Sequence, residues 1–194
     1  MDSIVINGGK ELKGSVIISG AKNAVLPMMA ASLLADGVTT ISNVPDLRDT
    51  RTMASLIEIT GAQVQLNYPE ISIDASTVHT LEAPYELVKT MRASFYVLGP
   101  ILGRFGKAKI SLPGGCAWGP RPVDFHLKAL EKMGASIKLK EGYVLAEAPR
   151  LRGSSIRFDF PSVGATGNIL MAAVTASGIT QIENAAMEPE IEQL

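Results

Sequence analysis

Apolar and polar positions along this chain alternate between the period of a helix and that of a strand, and the switch recurs along the sequence. Residues 4–6 and 15–19, rich in Val and Ile, are predicted as short strands, with Gly8-Gly9 and a Lys-Glu-Leu-Lys linker between them. Residues 22–34 are apolar on nearly every side, as in a helix buried among other layers, and Asp36-Gly37 stops it. A strand is expected at 39–41. Asp46 is placed to cap a second helix whose Met53, Leu56 and Ile57 share a face, and Gly61 closes it. Strands at 63–66 and 71–74 complete this first series.

The same order then returns. Residues 91–102 read as helix, 109–112 as strand, 122–133 as a helix stopped by Gly134, and 136–140 with 143–146 as a hairpin about Glu141-Gly142. Val25-Leu26 and Val97-Leu98 stand 72 positions apart, and Gly61-Ala62 and Gly134-Ala135 stand 73 apart. A third series begins with a strand at 155–157, a helix at 165–176 and a strand at 180–182. Such a period argues for one supersecondary unit used several times. The third unit is incomplete: Glu188-Pro189-Glu190-Ile191 has the form of a second helix start, and the sequence ends at Leu194. The chain is therefore expected to be an N-terminal fragment of a longer protein.

Composition mostly narrows the possibilities. The 194 residues suit one well-packed domain, and 46% hydrophobic with 19% charged residues is ordinary for a globular protein. A formal net charge of −1 provides no basic field, so no nucleic-acid partner is expected. One cysteine cannot form an internal disulfide and suits a reducing cytoplasm. The opening MDSIVINGGK lacks the features of a signal peptide, and the longest apolar stretch, 24–35, is too short to span a bilayer, so no membrane association is expected. Two distant histidines and one cysteine do not make a metal site, and the absence of GxGxxG and Walker motifs suggests no cofactor.

Candidate chemistry centres on residues 111–124, SLPGGCAWGPRPVD. A lone cysteine is more often inert packing than a catalyst. Cys116, however, follows Gly114-Gly115 and precedes Trp-Gly-Pro-Arg-Pro, a setting that regular structure cannot accommodate. Arg121 adds a fixed cation, Pro122 suits the first position of a helix, and Val123, Leu127 and Leu130 share a face. Lys22-Asn23 opens another helix and residues 162–166 a third. Each start offers backbone N–H groups, two add a cation, and a phosphorylated ligand fits that pattern.

GAKNA at 20–24, MRAS at 91–94, LPGGCAWGPRPVDFH at 112–126 and SVGAT at 162–166 together resemble the N-terminal part of the UDP-N-acetylglucosamine 1-carboxyvinyltransferase (enolpyruvyl transferase) family. The resemblance implies an α/β (α+β) fold, an inverse α/β barrel of repeated β-α-β-α-β-β units with helices inside and sheets outside. By it, residues 1–19 belong with a missing second domain, and 20–194 form most of one three-repeat domain. The implied substrates are phosphoenolpyruvate and UDP-N-acetylglucosamine, in the first committed step of peptidoglycan synthesis. Cys116 is then the acid, and Lys22 and Arg121 hold the phosphate. Asn23, Arg92, Arg121, Pro122, Val123, Asp124, Phe125, Ser162, Val163 and Gly164 contact the sugar nucleotide, with Tyr96 and His126 as weaker candidates. Residues 114–120 would act as a lid.

Plain readings stand beside these. Arg92 pairs equally well with Glu86, Phe125 and Tyr96 suit a core, Asp124 suits a helix dipole, and His126 and His79 suit structural roles. Many family members carry a lysine just before Ser-Val-Gly where this chain has Phe160-Pro161, and Trp118 stands where smaller apolar residues are usual. Two alternatives stay open: the shikimate-pathway enolpyruvyl transferase, which lacks the cysteine loop, and a non-catalytic UDP-sugar-binding paralogue. The fragment alone is expected to be inactive.

Overall fold

Helix α1 (Lys22–Ala31) owes its apolar circumference to its surroundings: Val25, Leu26, Met29 and Ala30 are all buried. The computed structural model describes residues 3–113 and 123–194. A 3-10 turn (Ser32–Leu34) continues α1, with Ser32 Oγ donating to the Met29 carbonyl at 2.6 Å. Then come β1 (Val38–Ile41), α2 (Arg48–Ile59), β2 (Gln63–Asn67) and β3 (Glu70–Asp74), with β3 antiparallel to both other strands in the order β1-β3-β2. Met53, Leu56 and Ile57 of α2 are fully buried, as their spacing requires.

Asp46 does not cap α2. The helix starts behind Leu47, whose extended backbone sets Asp46 one position too early, and Asp46 pairs with Arg51 instead. Thr50 Oγ1 takes the Leu47 amide at 3.2 Å.

The second unit comprises β4 (Glu82–Ala83), α3 (Tyr85–Val88), a 3-10 segment (Arg92–Val97), α4 (Leu98–Phe105), β5 (Lys107–Ser111), α5 (Asp124–Lys132), β6 (Ser136–Lys140) and β7 (Tyr143–Glu147). Its sheet runs β4-β5-β7-β6, with β4 parallel to β5 and the other neighbours antiparallel. The third comprises β8 (Ser155–Arg157), α6 (Val163–Ala173), β9 (Gln181–Glu183) and α7 (Pro189–Gln193), and β8 pairs parallel with β9. Thus β1-β3-β2 and β5-β7-β6 share one order, and β4-β5 and β8-β9 share one parallel lead-in. The sequence period is a period of topology.

Three expectations change. Residues 91–102 are not one helix: Pro100 has no amide to extend a ladder out of the 3-10 segment, so α4 starts afresh at Leu98 and carries Pro100 in its first turn, where no amide is needed. The two-residue strand β4 and the one-turn α3 were too short to show a period. Residues 4–6 and 15–19 are not strands; Ile4, Val5, Ile6, Val16, Ile17 and Ile18 remain exposed, because no sheet edge among the described residues pairs with them.

Helices lie inside and sheets outside. In β5, Ala108 and Ile110 face the core while Lys109 faces outward to Glu82 at 3.0 Å. The α4–α6 crossing is close because Gly99 has no side chain: a Cβ there would lie 2.3 Å from the Asn168 carbonyl oxygen. Gly99→Ala is expected to push the helices apart at a cost of about 1–3 kcal/mol. At roughly 2–4 °C per kcal/mol for a chain of this size, Tm should fall by several degrees in a thermal unfolding scan; an unchanged Tm would contradict the packing.

Candidate functional site

Three helix starts converge on one cleft of about 300 Å³, whose lining includes Asn23 from α1, Val123 and His126 from the start of α5, and Val163 and Gly164 from α6. Arg92 and Tyr96 of the 3-10 segment form another wall, and Glu190 of α7 a further one. The reason lies in each start. Asn23 is the second residue of α1. Val123 occupies the cap position of α5, which sets His126 in its first turn. Ser162 caps α6 by accepting the Ala165 amide at 3.3 Å, and the Val163 and Gly164 amides have no partner within the helix. Amides at the head of an eleven-residue helix favour an anion.

His126 is buried on one side and meets the cleft on the other. Its ring stands edge-on to Phe95, with centroids 5.2 Å apart at 84°. Its Nδ1 lies 3.0 Å from Asn168 Nδ2. Burial, and next the positive charge of Arg92, push its pKa down from 6.5 to about 3, against a smaller opposing effect of Asp124. Tyr96 is pushed up to about 12, first by burial and then by Glu190, with Glu188 adding a weaker effect against the opposing charge of Arg92. At neutral pH both are uncharged.

The remaining sequence-predicted residues divide. Lys22 begins α1, and its Nζ lies 2.9 Å from Asp49 Oδ2. Asp124 sits in the first turn of α5 and pairs with Lys128 at 3.2 Å, its other carboxylate oxygen buried without a hydrogen-bond partner in the described structure. Phe125 is turned away from the cleft, meeting Phe158 edge-on at 6.2 Å on the opposite flank of α5. Glu86 pairs with Lys89. Phe160 is exposed and places no cation ahead of α6. Cys116, Arg121, Pro122, Trp118 and the predicted lid lie outside the described residues. Among the described residues no group of His, Cys, Asp and Glu is arranged to hold a metal ion, and no helix is long and apolar enough to cross a membrane.

Sequence reading missed Asn168 and Glu190. A polar residue in the apolar run of α6 was the available signal for Asn168. Glu190 enters only because α7 folds back beside α1 and α6, which no local pattern announces.

Repeated β-α-β-α-β-β units with helix heads turned into one cleft define the class, and the comparisons agree. The chain belongs to the EPSP synthase (3-phosphoshikimate 1-carboxyvinyltransferase) family, whose model matches residues 6–194. Within that family it is 56% identical over its whole length to the UDP-N-acetylglucosamine 1-carboxyvinyltransferase of Desulfosudis oleivorans, and 54% identical over its whole length to that of Chlorobaculum parvum. The chain spans 46% of the length of each of these relatives. Among solved structures, the enolpyruvyl transferase NikO from Streptomyces tendae matches with a TM-score of 0.81 at 25% identity, over 95% of this chain and 44% of that one. EPSP synthase from Acinetobacter baumannii matches with a TM-score of 0.71 at 20% identity, over 95% of this chain and 43% of that one, and shows the shared fold.

The low pKa of His126 fixes an acid sensitivity. Unfolding lets the ring take up a proton below about 6.5 that the folded chain refuses until about 3, so its contribution is complete above 6.5 and is lost as pH falls through that window. Chemical denaturation at pH 7.5 and pH 5 should differ more for the wild type than for His126→Gln, by on the order of 2 kcal/mol. Equal differences would show that His126 does not titrate this way.

Proposed function

We propose that this chain is one half of an enzyme that transfers the enolpyruvyl group of phosphoenolpyruvate to the 3-hydroxyl of UDP-N-acetylglucosamine and releases phosphate. This is the first committed step of peptidoglycan synthesis, carried out in the cytoplasm. The observation that carries the reading is 54–56% identity along the whole chain to UDP-N-acetylglucosamine 1-carboxyvinyltransferases. The cleft suits both substrates, which carry phosphate, because Arg92 and the Val163 and Gly164 amides, which have no helical partner, converge there.

The chemistry asks for an acid near carbon and cations near phosphate. In addition, a proton joins the methylene carbon of phosphoenolpyruvate while the acceptor hydroxyl, losing its own proton, bonds to the neighbouring carbon. In elimination, a methyl proton leaves, the carbon–oxygen bond to phosphate breaks, and the vinyl ether forms. Cys116 is assigned the acid, and Lys22 and Arg121 the phosphate. Lys22 has a side chain 47% exposed, so a substrate phosphate can replace or join Asp49 as its partner. Asn23, Arg92, Pro122, Val123, Asp124, Ser162, Val163 and Gly164 are assigned to the sugar nucleotide. Phe125, on the far flank of α5, supports this wall from behind rather than meeting the base. Residues 1–19 belong with the second half of the enzyme.

The full-length protein should release phosphate from phosphoenolpyruvate with UDP-N-acetylglucosamine and not with shikimate 3-phosphate. Cys116→Ser should lower kcat by about 10²–10⁴-fold, the usual contribution of a positioned acid. Turnover of shikimate 3-phosphate in preference would assign the enzyme to the other branch of its family, and binding without turnover of either acceptor would leave a sugar-nucleotide-binding protein.

A further inference from the structure

Asn168 is fully buried in α6, and the orientation of its side-chain amide is fixed by two main-chain groups whose roles are not interchangeable. The Gly99 amide can only donate, and it lies 2.6 Å from Asn168 Oδ1. The Phe95 carbonyl can only accept, and it lies 2.9 Å from Asn168 Nδ2. Oδ1 is therefore oxygen and Nδ2 nitrogen, with one amide hydrogen left over. That hydrogen is directed to His126 Nδ1, which lies 3.0 Å from Asn168 Nδ2, so Nδ1 must carry the lone pair. A neutral imidazole with an accepting Nδ1 holds its proton on Nε2.

The Nε2 edge faces Gly164. A Cβ on Gly164 would lie 3.4 Å from Nε2 and 3.3 Å from the adjoining ring carbon, so only glycine leaves the imidazole edge uncrowded there. The described residues place no hydrogen-bond partner on Nε2, although the ring is almost wholly buried and lines the cleft. The Val163 and Gly164 amides, also without helical partners, open at the same place.

We propose that Asn168 is a positioning residue that locks His126 in its Nε2–H form, so that His126 serves as a third, uncharged donor beside the Val163 and Gly164 amides to a diphosphate oxygen of the sugar nucleotide. The assignment of the ligand rests on the proposed function; the tautomer does not. A charged ring would turn an Nδ1 hydrogen against the Asn168 amide hydrogen and lose that bond. The amide thus keeps the donor in place without making it a cation. Arg92 and Asp124 are the charged groups that act on the ring, and Asn168 is the partner at Nδ1.

The test has two readings. Nitrogen-15 NMR of the histidine-labelled, ligand-free full-length protein at neutral pH should show His126 with Nε2 protonated and Nδ1 bare; a protonated Nδ1, or two exchanging forms, overturns the proposal. In Asn168→Asp, a carboxylate oxygen replaces the donor and should draw the proton to Nδ1. The full-length variant should then bind UDP-N-acetylglucosamine at least roughly tenfold more weakly, the loss of one hydrogen bond to a charged group. Should that variant not fold, His126→Phe should show the same loss and His126→Gln, which restores an N–H donor, should recover part of it. Unchanged affinity in the variants overturns the role of His126 as donor. Were the wild-type full-length protein to bind no UDP-N-acetylglucosamine, the ligand assignment would fall with the proposed function, and the NMR result would still decide the tautomer.

Discussion

A single buried amide ties the second and third units of this chain together. Asn168 belongs to the third unit; its oxygen holds the head of α4 and its nitrogen holds Phe95 and His126, all in the second. Buried polar groups are costly when unpaired, and here all of the hydrogens and one oxygen of the amide have partners within a dense apolar crossing. The close approach of α4 and α6 at Gly99 brings those partners into reach. That contact fixes how closely α4 meets α6 and holds Phe95 and His126 where they line the cleft.

From that constraint the site follows. Helices packed inside a shell of sheets carry main-chain groups without helical partners at their ends, so helix heads can contribute to a ligand site in such a domain. The heads of α1, α5 and α6 supply Asn23, Val123 with His126, and Val163 with Gly164. Amides without helical partners give a positive potential without mobile charges, and the neutral His126 and Tyr96 leave the charge at the cleft to Arg92 and Glu190. Such a surface presents donors fixed in orientation beside a fixed charge.

The exposed flank tells a different story. Residues 3–19 carry Ile4, Val5, Ile6, Val16, Ile17 and Ile18 into solvent, a strand-forming composition with no sheet edge beside it among the described residues. Propensity there is satisfied only by a partner, because a strand's hydrogen bonds are made to its neighbours and not within itself.

Local patterns alone determined much of this protein. The hairpin β6–β7 about Glu141-Gly142, the burial of Met53, Leu56 and Ile57 and the Gly61 and Gly134 stops were legible because each depends on neighbours a few residues away, and the repeated unit because those local signals recur in the same order. The helix heads at Asn23 and Ser162 were legible for the same reason. What only the folded chain decided is what meets across units: Phe125 turned to Phe158 instead of the cleft, Glu190 brought into the cleft wall, and Asn168 set against His126, 42 positions away. Local periodicity reports which face of an element is apolar, whereas the rotation and approach of packed helices are settled by side chains distant in sequence, and it is those that choose which polar groups share a site.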